Sequence, residues 1–269
     1  WINCNTNQTK SQCIQREVRT LMALAHSPRI VRDSLIQYLD AGNVKSYPGS
    51  GLTWKDICGK NNDGNNSTGD NACSFESSEP KCFVFDASNN NGRIMMPKIF
   101  HGNNHGSLEV WFQHNQSTST AAGPGMIFFE GNLNGFGPET EFHLSVNNSG
   151  NVSVFVEGAN DDINVSTTTT VPVNTWSCAT VTFINFAGSG QKNVRVYING
   201  IFDVTQSNFG NYGGQGTPSN SFIGRSRTQI NSKYRGLVGK VAVLKCYSRR
   251  LTDSEVLQNY HALKSRFGL

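Results

Sequence analysis

The chain has 269 residues, of which 36% are hydrophobic and only 16% charged, a length that suits one large domain with an extension. Asn, Ser, Thr and 27 Gly residues replace the missing charge, which favours many short strands joined by polar loops over a helical protein. The net charge of +4 is spread thinly, and the densest basic group lacks the interleaved aromatic residues of a nucleic-acid-binding surface. We expect this group to form a solvated rim; it comprises Arg225, Arg227, Lys233 and Arg235.

Residues 1–32 are predicted to form an N-terminal arm. Apolar side chains recur there at helical spacing, and Pro28 would stop such a helix. The apolar face consists of Ile14, Val18, Leu21 and Met22. An apolar face outside the main domain favours docking on another copy of the chain, and packing back on the same domain is the alternative.

From residue 33 to about residue 249 the hydrophobic period changes to two, which predicts strands. The predicted strands cover 35–39, 82–86, 107–113, 126–130, 141–146, 152–156, 176–184, 193–198 and 239–246. Asn148 to Asn151 and Asn199-Gly200 are hairpin-like turn signals, and the polar segment 59–72 is predicted to be a long surface loop. Short strands with turns at such spacing are typical of a β-sandwich or jelly roll.

The last element is a predicted helix over 252–267. Thr252 stands at the N-cap position and Glu255 three residues later, which is a capping box. No apolar run approaches the ~20 residues that a membrane-spanning helix needs, so we expect a soluble or externally attached protein.

Cysteines and glycosylation triplets both indicate an oxidising compartment. No cysteine lies in a CxxC pair or at zinc-like spacing from a histidine, so disulfides are the better interpretation. The seven cysteines are Cys4, Cys13, Cys58, Cys73, Cys82, Cys178 and Cys246. The N-x-S/T acceptors are Asn7, Asn65, Asn66, Asn115, Asn147, Asn151 and Asn164. The sequence starts at Trp1, without a Met or the basic and apolar regions of a signal peptide. We therefore expect a secreted glycoprotein whose signal peptide has been removed.

Several segments over residues 33–269 resemble the concanavalin A-like lectin/glucanase superfamily, in the laminin-G-like form familiar from phage and large-virus virion proteins. The order of the segments carries the resemblance: YLDAG at 38–42, SYPGSG at 46–51, WKD at 54–56, GSLEVWF at 106–112, WSCATVTF at 176–183, VRVYING at 194–200, FIG at 222–224, GKVAV at 239–243 and YSRRL at 247–251.

The resemblance implies an all-β fold, an antiparallel two-sheet jelly-roll sandwich with the C-terminal helix against one edge. In that layout Cys178 and Cys246 both lie in strands, and we expect them to form a disulfide. Trp54, Trp111 and Trp176 stand where the family keeps structural aromatic residues.

Glycanases of this superfamily use two carboxylates on one strand face, and Glu139 and Glu141 are the only pair at suitable spacing, followed by His143. The hydrolase motif Glu-x-Asp-x-x-Glu is absent, because Glu141 replaces the Asp and Leu144 the last Glu. We therefore expect no enzymatic activity, and these residues are then ordinary polar positions of a strand.

Two ligand sites are weaker hypotheses. Tyr212, in the Gly-rich segment 210–216, is a candidate contact for a glycan, and a rim loop is the alternative. Asp161 and Asp162 are a candidate calcium site, although we favour a polar turn. Otherwise we expect no cofactor beyond covalent N-glycans.

The function that we predict from the sequence is a noncatalytic extracellular structural subunit that self-assembles, as a fibril or oligomer, through its arm. A glycan-binding lectin or adhesion module is the alternative, and a glycoside hydrolase is a remote one. The expected partners are other copies of the chain or glycans, with no nucleic acid and no membrane span.

Overall fold

The structure is a computed structural model, and it describes residues 28–66, 72–85, 92–101, 103–115, 125–131, 141–156, 162–186, 192–207, 220–225 and 235–269. Within these ranges strands are the main regular structure. In chain order they are β1 (Leu35–Asp40), β2 (Thr53–Trp54), β3 (Gly64–Asn66), β4 (Ser74–Glu76), β5 (Cys82–Phe85), β6 (Ile94–Met96), β7 (His105–His114), β8 (Gly125–Gly131), β9 (Phe142–Val146), β10 (Asn151–Val156), β11 (Ile163–Thr170), β12 (Ser177–Ile184), β13 (Asn193–Ile198), β14 (Ile201–Ser207), β15 (Asn220–Ile223), β16 (Arg235–Gly236) and β17 (Gly239–Tyr247).

These strands form two sheets, antiparallel except for the short pair β16–β8. Sheet A has the order β14-β13-β12-β7-β17-β5-β4, and β1 pairs with β17 beyond the end of β5. Sheet B has the order β11-β10-β9-β8-β15-β6-β3-β2, and β16 runs parallel to β8. The predicted two-sheet jelly-roll sandwich is therefore confirmed.

Alternating side chains in β10 and β11 show how the sequence produces the inner and outer faces of sheet B. Along β11, Ile163, Val165 and Thr167 are buried, whereas the residues between them are exposed. Strand β10 repeats the pattern with three buried valines. Because successive strand side chains point to opposite faces, the apolar set enters the core between the sheets and the polar set faces outward.

A C-terminal helix covers the outer face of sheet A. Helix α1 (Asp253–Leu263) starts at the predicted capping box, in which the Glu255 backbone N–H donates to Thr252 Oγ1 and the Glu255 side chain accepts from the Thr252 N–H. A 3-10 helix (Lys264–Phe267) follows it. Phe267 stacks on Trp111 of β7 with ring centroids 4.3 Å apart. This face of sheet A is therefore covered over β7, β12 and β17.

An ion pair lies on the outer face of sheet A. Lys245 Nζ is 2.6 Å from Glu109 Oε1, and both side chains are fully buried. Trp111 donates its Nε1–H to the same carboxylate oxygen at 3.1 Å. Since a lone buried charge is costly, loss of either partner would destabilise the protein strongly. This pair was not predicted from the sequence.

The last residues of the predicted arm belong to the domain. Val31 is buried, and its N–H donates to Asn259 Oδ1 of α1 at 2.8 Å. Tyr247 donates its hydroxyl to the Val31 carbonyl, and Gln258 of α1 donates to the Arg29 carbonyl. Residues 29–31 thus pack back on their own domain, which extends the jelly-roll unit upstream of the predicted boundary at residue 33.

The strands differ from the prediction where they are short or where their sequence is polar. The predicted loop 59–72 contains β3, and β11 and β14 were missed, as were several short strands. Strand β11 ends in four threonines, and β14 buries none of its residues. Both hairpin turns are present: Gly150 has a φ of 84°, and Asn199 and Gly200 have φ values of 52° and 79°, as a two-residue type I′ turn requires.

The predicted Cys178–Cys246 disulfide is wrong. Strands β12 and β17 flank β7, where Cys178 lies opposite Trp111 and Cys246 lies opposite Leu108. Trp111 packs under α1 whereas Leu108 packs in the core between the sheets, so the two thiols lie on opposite faces of sheet A. Their partners on β7 are also three steps apart, about 10 Å, beyond the reach of a disulfide.

The remaining described cysteines are also free thiols, which contradicts the disulfide prediction for them; they are Cys58, Cys73 and Cys82. Burial raises the pKa of Cys82 to about 12, whereas burial and a hydrogen bond to Asp56 raise the pKa of Cys58 to about 11. Cys4 and Cys13 lie outside the described residues.

Candidate functional site

The outer face of sheet B is the candidate site, because α1 and the 3-10 helix cover β7, β12 and β17 on the corresponding face of sheet A. Five side chains lie in register across five neighbouring strands, from β15 through β8, β9 and β10 to β11. We call this set the outer row; it consists of Phe222, Phe129, His143, Phe155 and Asn164.

Burial changes along the outer row. Phe222 and Phe129 are fully buried and His143 nearly so, whereas Phe155 is half-buried and Asn164 exposed. The ring of His143 lies between those of Phe129 and Phe155, with centroid distances of 4.9 and 5.2 Å. The row therefore opens to solvent at its β10–β11 end.

We call the open end the β10–β11 shelf; it comprises Ser153, Phe155, Asn164 and Ser166. Ser153 and Ser166 lie opposite each other, and their hydroxyl oxygens are 2.7 Å apart. The shelf thus combines one aromatic ring with two hydroxyl groups and one amide. An aromatic ring packs against the C–H face of a pyranose, and the polar groups can donate to or accept from sugar hydroxyls.

The Glu141–His143 pair lies beside the shelf. Glu141 Oε2 is 2.7 Å from His143 Nε2, and both side chains are buried. Burial lowers the pKa of His143 to about 3, so the neutral ring donates its Nε2–H to the carboxylate. His143 is in turn the ring on which Phe155 rests. The pair therefore fixes the support of the shelf.

The same geometry bears on the hydrolase hypothesis. Glu141 is hydrogen-bonded to His143, and Leu144, where the hydrolase motif has its last Glu, points into the core between the sheets. Glu139 lies outside the described residues. A glycosidase needs two carboxylates that face each other across the scissile bond, and Leu144 cannot supply one.

The glycosylation acceptors differ in the state of Nδ2, the atom that would carry the glycan. Asn65, Asn115 and Asn164 are exposed. By contrast, Asn66 is only 7% exposed and donates Nδ2 to the Cys73 carbonyl at 2.8 Å, which does not fit a glycan. Asn151 donates Nδ2 to the Thr167 carbonyl at 2.8 Å.

Asn147 is half-buried at the β9–β10 turn. Its Oδ1 accepts from the N–H groups of Ser149 and Asn151 at 2.9 and 3.0 Å. The Asn147 side chain therefore stabilises the turn through its oxygen. These two hydrogen bonds also fix the orientation of its amide group relative to the hairpin.

Other predicted site residues are placed as follows. Asp162 is exposed, and within the described ranges no group of three His, Cys, Asp or Glu side chains is arranged to hold a metal ion. Arg225 is buried rather than solvated, and burial, with Arg93 nearby, lowers its pKa. The other predicted site residues lie outside the described residues: Asn7, Asp161, Tyr212, Arg227, Lys233 and the apolar face of the arm. The side chain of Arg235 is also outside the described part of the structure.

Residues 86–257, more than half of the chain, match the model of the Laminin_G_3 family, described as "Concanavalin A-like lectin/glucanases superfamily". The chain belongs to this superfamily. No curated protein sequence matches the chain. Among the described residues, no helix is long and apolar enough to cross a membrane.

Solved structures share the jelly-roll fold at low sequence identity. Domain 4 of AbnA, an extracellular arabinanase from Geobacillus stearothermophilus in complex with arabinotriose, has a TM-score of 0.58 at 17% identity, over 84% of this chain and 98% of that domain. The binding domain of Paraclostridial Mosquitocidal Protein 1 gives 0.59 at 18%, over 85% and 52%. The binding domain of Botulinum neurotoxin DC, in complex with rat synaptotagmin II, gives 0.60 at 13%, over 87% and 52%.

This lectin/glucanase-type chain spans about half the length of the two toxin binding domains. At these identities the likeness shows the fold alone. Two of these neighbours are named as binding domains, and the third was solved in complex with arabinotriose.

Proposed function

We propose that this chain is a noncatalytic glycan-binding module that holds a saccharide on the β10–β11 shelf. The half-buried ring of Phe155 carries the proposal. Solvent reaches this aromatic member of the outer row, and the hydroxyl and amide groups of the shelf surround it. The family to which the chain belongs includes lectins, and the arabinotriose complex supports a saccharide as the ligand class.

A binding role also agrees with the state of Glu141. Its carboxylate is buried and hydrogen-bonded to a neutral His143, so it supports a ring instead of facing solvent as a proton donor. A preformed support lowers the cost of ordering the site when a ligand binds.

The test uses the chain produced in bacteria, which leaves the shelf free of attached glycans. We expect binding on a glycan array, and a loss of affinity of about tenfold or more in Phe155→Ala, because removal of a stacked ring costs roughly 1–3 kcal/mol. Phe202→Ala is the matched control, since Phe202 is 42% exposed on β14 of the other sheet. Absence of any glycan signal, or an equal loss in both variants, would contradict the proposal.

We further propose an extracellular location, on the basis of the exposed glycosylation acceptors Asn65, Asn115 and Asn164. The described cysteines are free thiols, so disulfides do not support an extracellular location. Self-assembly through residues 1–27 is a second proposal, which rests on the amphipathic pattern of those residues alone.

A further inference from the structure

The N-glycosylation triplets that begin at Asn151 and Asn164 lie side by side on the shelf. Their third residues, Ser153 and Ser166, are paired across β10 and β11 and hydrogen-bond each other. The two acceptors themselves are in different states. Asn151 is half-buried with Nδ2 engaged by the Thr167 carbonyl, whereas Asn164 is exposed and no described residue accepts from its Nδ2.

Asn164 lies directly opposite Phe155 in the register of β10 and β11. Directly opposed residues share one face of a sheet, with Cβ atoms about 5 Å apart. A sugar ring attached at Nδ2 of Asn164 is therefore within reach of the half-buried Phe155 ring. This ring is the same platform that an external saccharide would use.

We infer that Asn164 carries an N-glycan whose first sugar packs on Phe155 and occupies the shelf, so that the protein masks its own saccharide site. The modification joins Nδ2 to C1 of the sugar and breaks the bond from that C1 to the diphosphate of a lipid-linked oligosaccharide donor. Nδ2 gives up one proton, and nothing is oxidised or reduced. The masking rests on the proposed function, whereas the placement of the glycan does not.

The first measurement concerns occupancy and packing alone. The full chain is secreted from eukaryotic cells, and glycopeptide mass spectrometry reports each acceptor. We expect Asn164 to be occupied, and Asn66 and Asn151 to be empty. Asn164→Gln should lower the melting temperature, and the shift should shrink when Phe155 is already alanine, because the sugar then has no ring to pack on. An unoccupied Asn164, or a shift independent of Phe155, overturns the inference.

The second measurement concerns masking. We expect the bacterial chain, which keeps Asn164 without a glycan, to bind saccharides at least tenfold more tightly than the chain secreted from eukaryotic cells. Asn65→Gln, secreted from the same cells, should bind no more tightly than the secreted wild type, since Asn65 is an exposed acceptor on β3. Equal affinities of the bacterial and the secreted wild type contradict the masking. If the glycan couples to Phe155 but neither the bacterial chain nor Asn164→Gln binds any saccharide, the proposed function fails and the placement of the glycan stands.

Discussion

The cysteines show how burial decides the chemistry of a side chain. Cys178 and Cys246 are fully enclosed on opposite faces of sheet A, and burial raises the pKa of both thiols. Cys58 is half-buried beside Asp56, to which its thiol donates at 3.3 Å. Because thiolates are the reactive form, all of these thiols should be slow nucleophiles in the folded protein.

Alkylation with N-ethylmaleimide at neutral pH, read by peptide mass spectrometry, tests this ordering. Of the five described cysteines, we expect Cys58 alone to react in the native protein, and to react slowly. In urea we expect all five to react without addition of a reductant. Cys58→Ser should abolish the native signal from this set. Recovery of a peptide that links Cys178 to Cys246 would contradict the register of β12, β7 and β17.

The cysteine error has a simple cause at the level of residues. Both cysteines lie in predicted strands, but the face on which each lies depends on register with β7, and register is a tertiary property. By the same reasoning, the in-register contact of Phe155 with Asn164 could not be read from the sequence, although the alternation of β10 was visible in it.

Among the elements, α1 is the best anchored. Arg249 donates to both carboxylate oxygens of Glu255, at 2.8 and 2.6 Å, and to Asp33 at 2.6 Å. The hydrogen bonds from Arg249, with those from Thr252, lower the pKa of Glu255 from 4.5 to about 2. A carboxylate whose pKa is lower in the folded state stabilises the protein fully above its unfolded pKa, and this contribution disappears as the pH falls through the folded value.

Glu255→Gln should therefore reduce the free energy of unfolding by about 1 kcal/mol at pH 7, a modest value because the pair is partly exposed. The difference from wild type should narrow as the pH falls from 4.5 towards 2. Urea unfolding at pH 7 and pH 3 measures both quantities. Glu79→Gln is the control, since the Glu79 side chain is 66% exposed; a difference for Glu255→Gln that does not change with pH would refute this account.

Elements whose sequence has a clear hydrophobic period or a capping motif were predictable. Elements that are stabilised mainly by pairing with neighbouring strands were not. The capping box and the alternating valines of β10 are local signals, and both elements were found. Strand β14 buries none of its residues, and it exists because it pairs with β13 and because Asp203 accepts from the backbone N–H groups of Thr168 and Thr169 in β11. Such a strand has no period of its own to detect.

At the scale of the molecule, the two sheets have different roles. Helix α1 and residues 29–31 cover part of the outer face of sheet A, and sheet B presents the shelf. The chain enters the domain on the helix side of sheet A, where the Val31 N–H donates to Asn259 of α1.

Negative-stain electron microscopy of the full chain beside a chain that begins at Pro28 tests self-assembly. We expect filaments or oligomers from the full chain and monomers from the shorter one, because the amphipathic residues 14–22 are absent from it. Starting at Pro28 keeps the Val31 hydrogen bonds, so the domain stays intact. Dispersed particles in both samples would eliminate assembly through the arm.

The hydrogen bond of Val31 to α1 and the stacking of Phe267 on Trp111 fix where the two ends of the described chain lie relative to the shelf. Both bring an end of the described chain to the same side, under and beside α1, with the two sheets between them and the shelf. Any tether at Arg29 or at Leu269 would thus pull on the back of the domain. A tether at either of these two residues would leave the β10–β11 shelf, the proposed saccharide site, on the side of the domain opposite the tether.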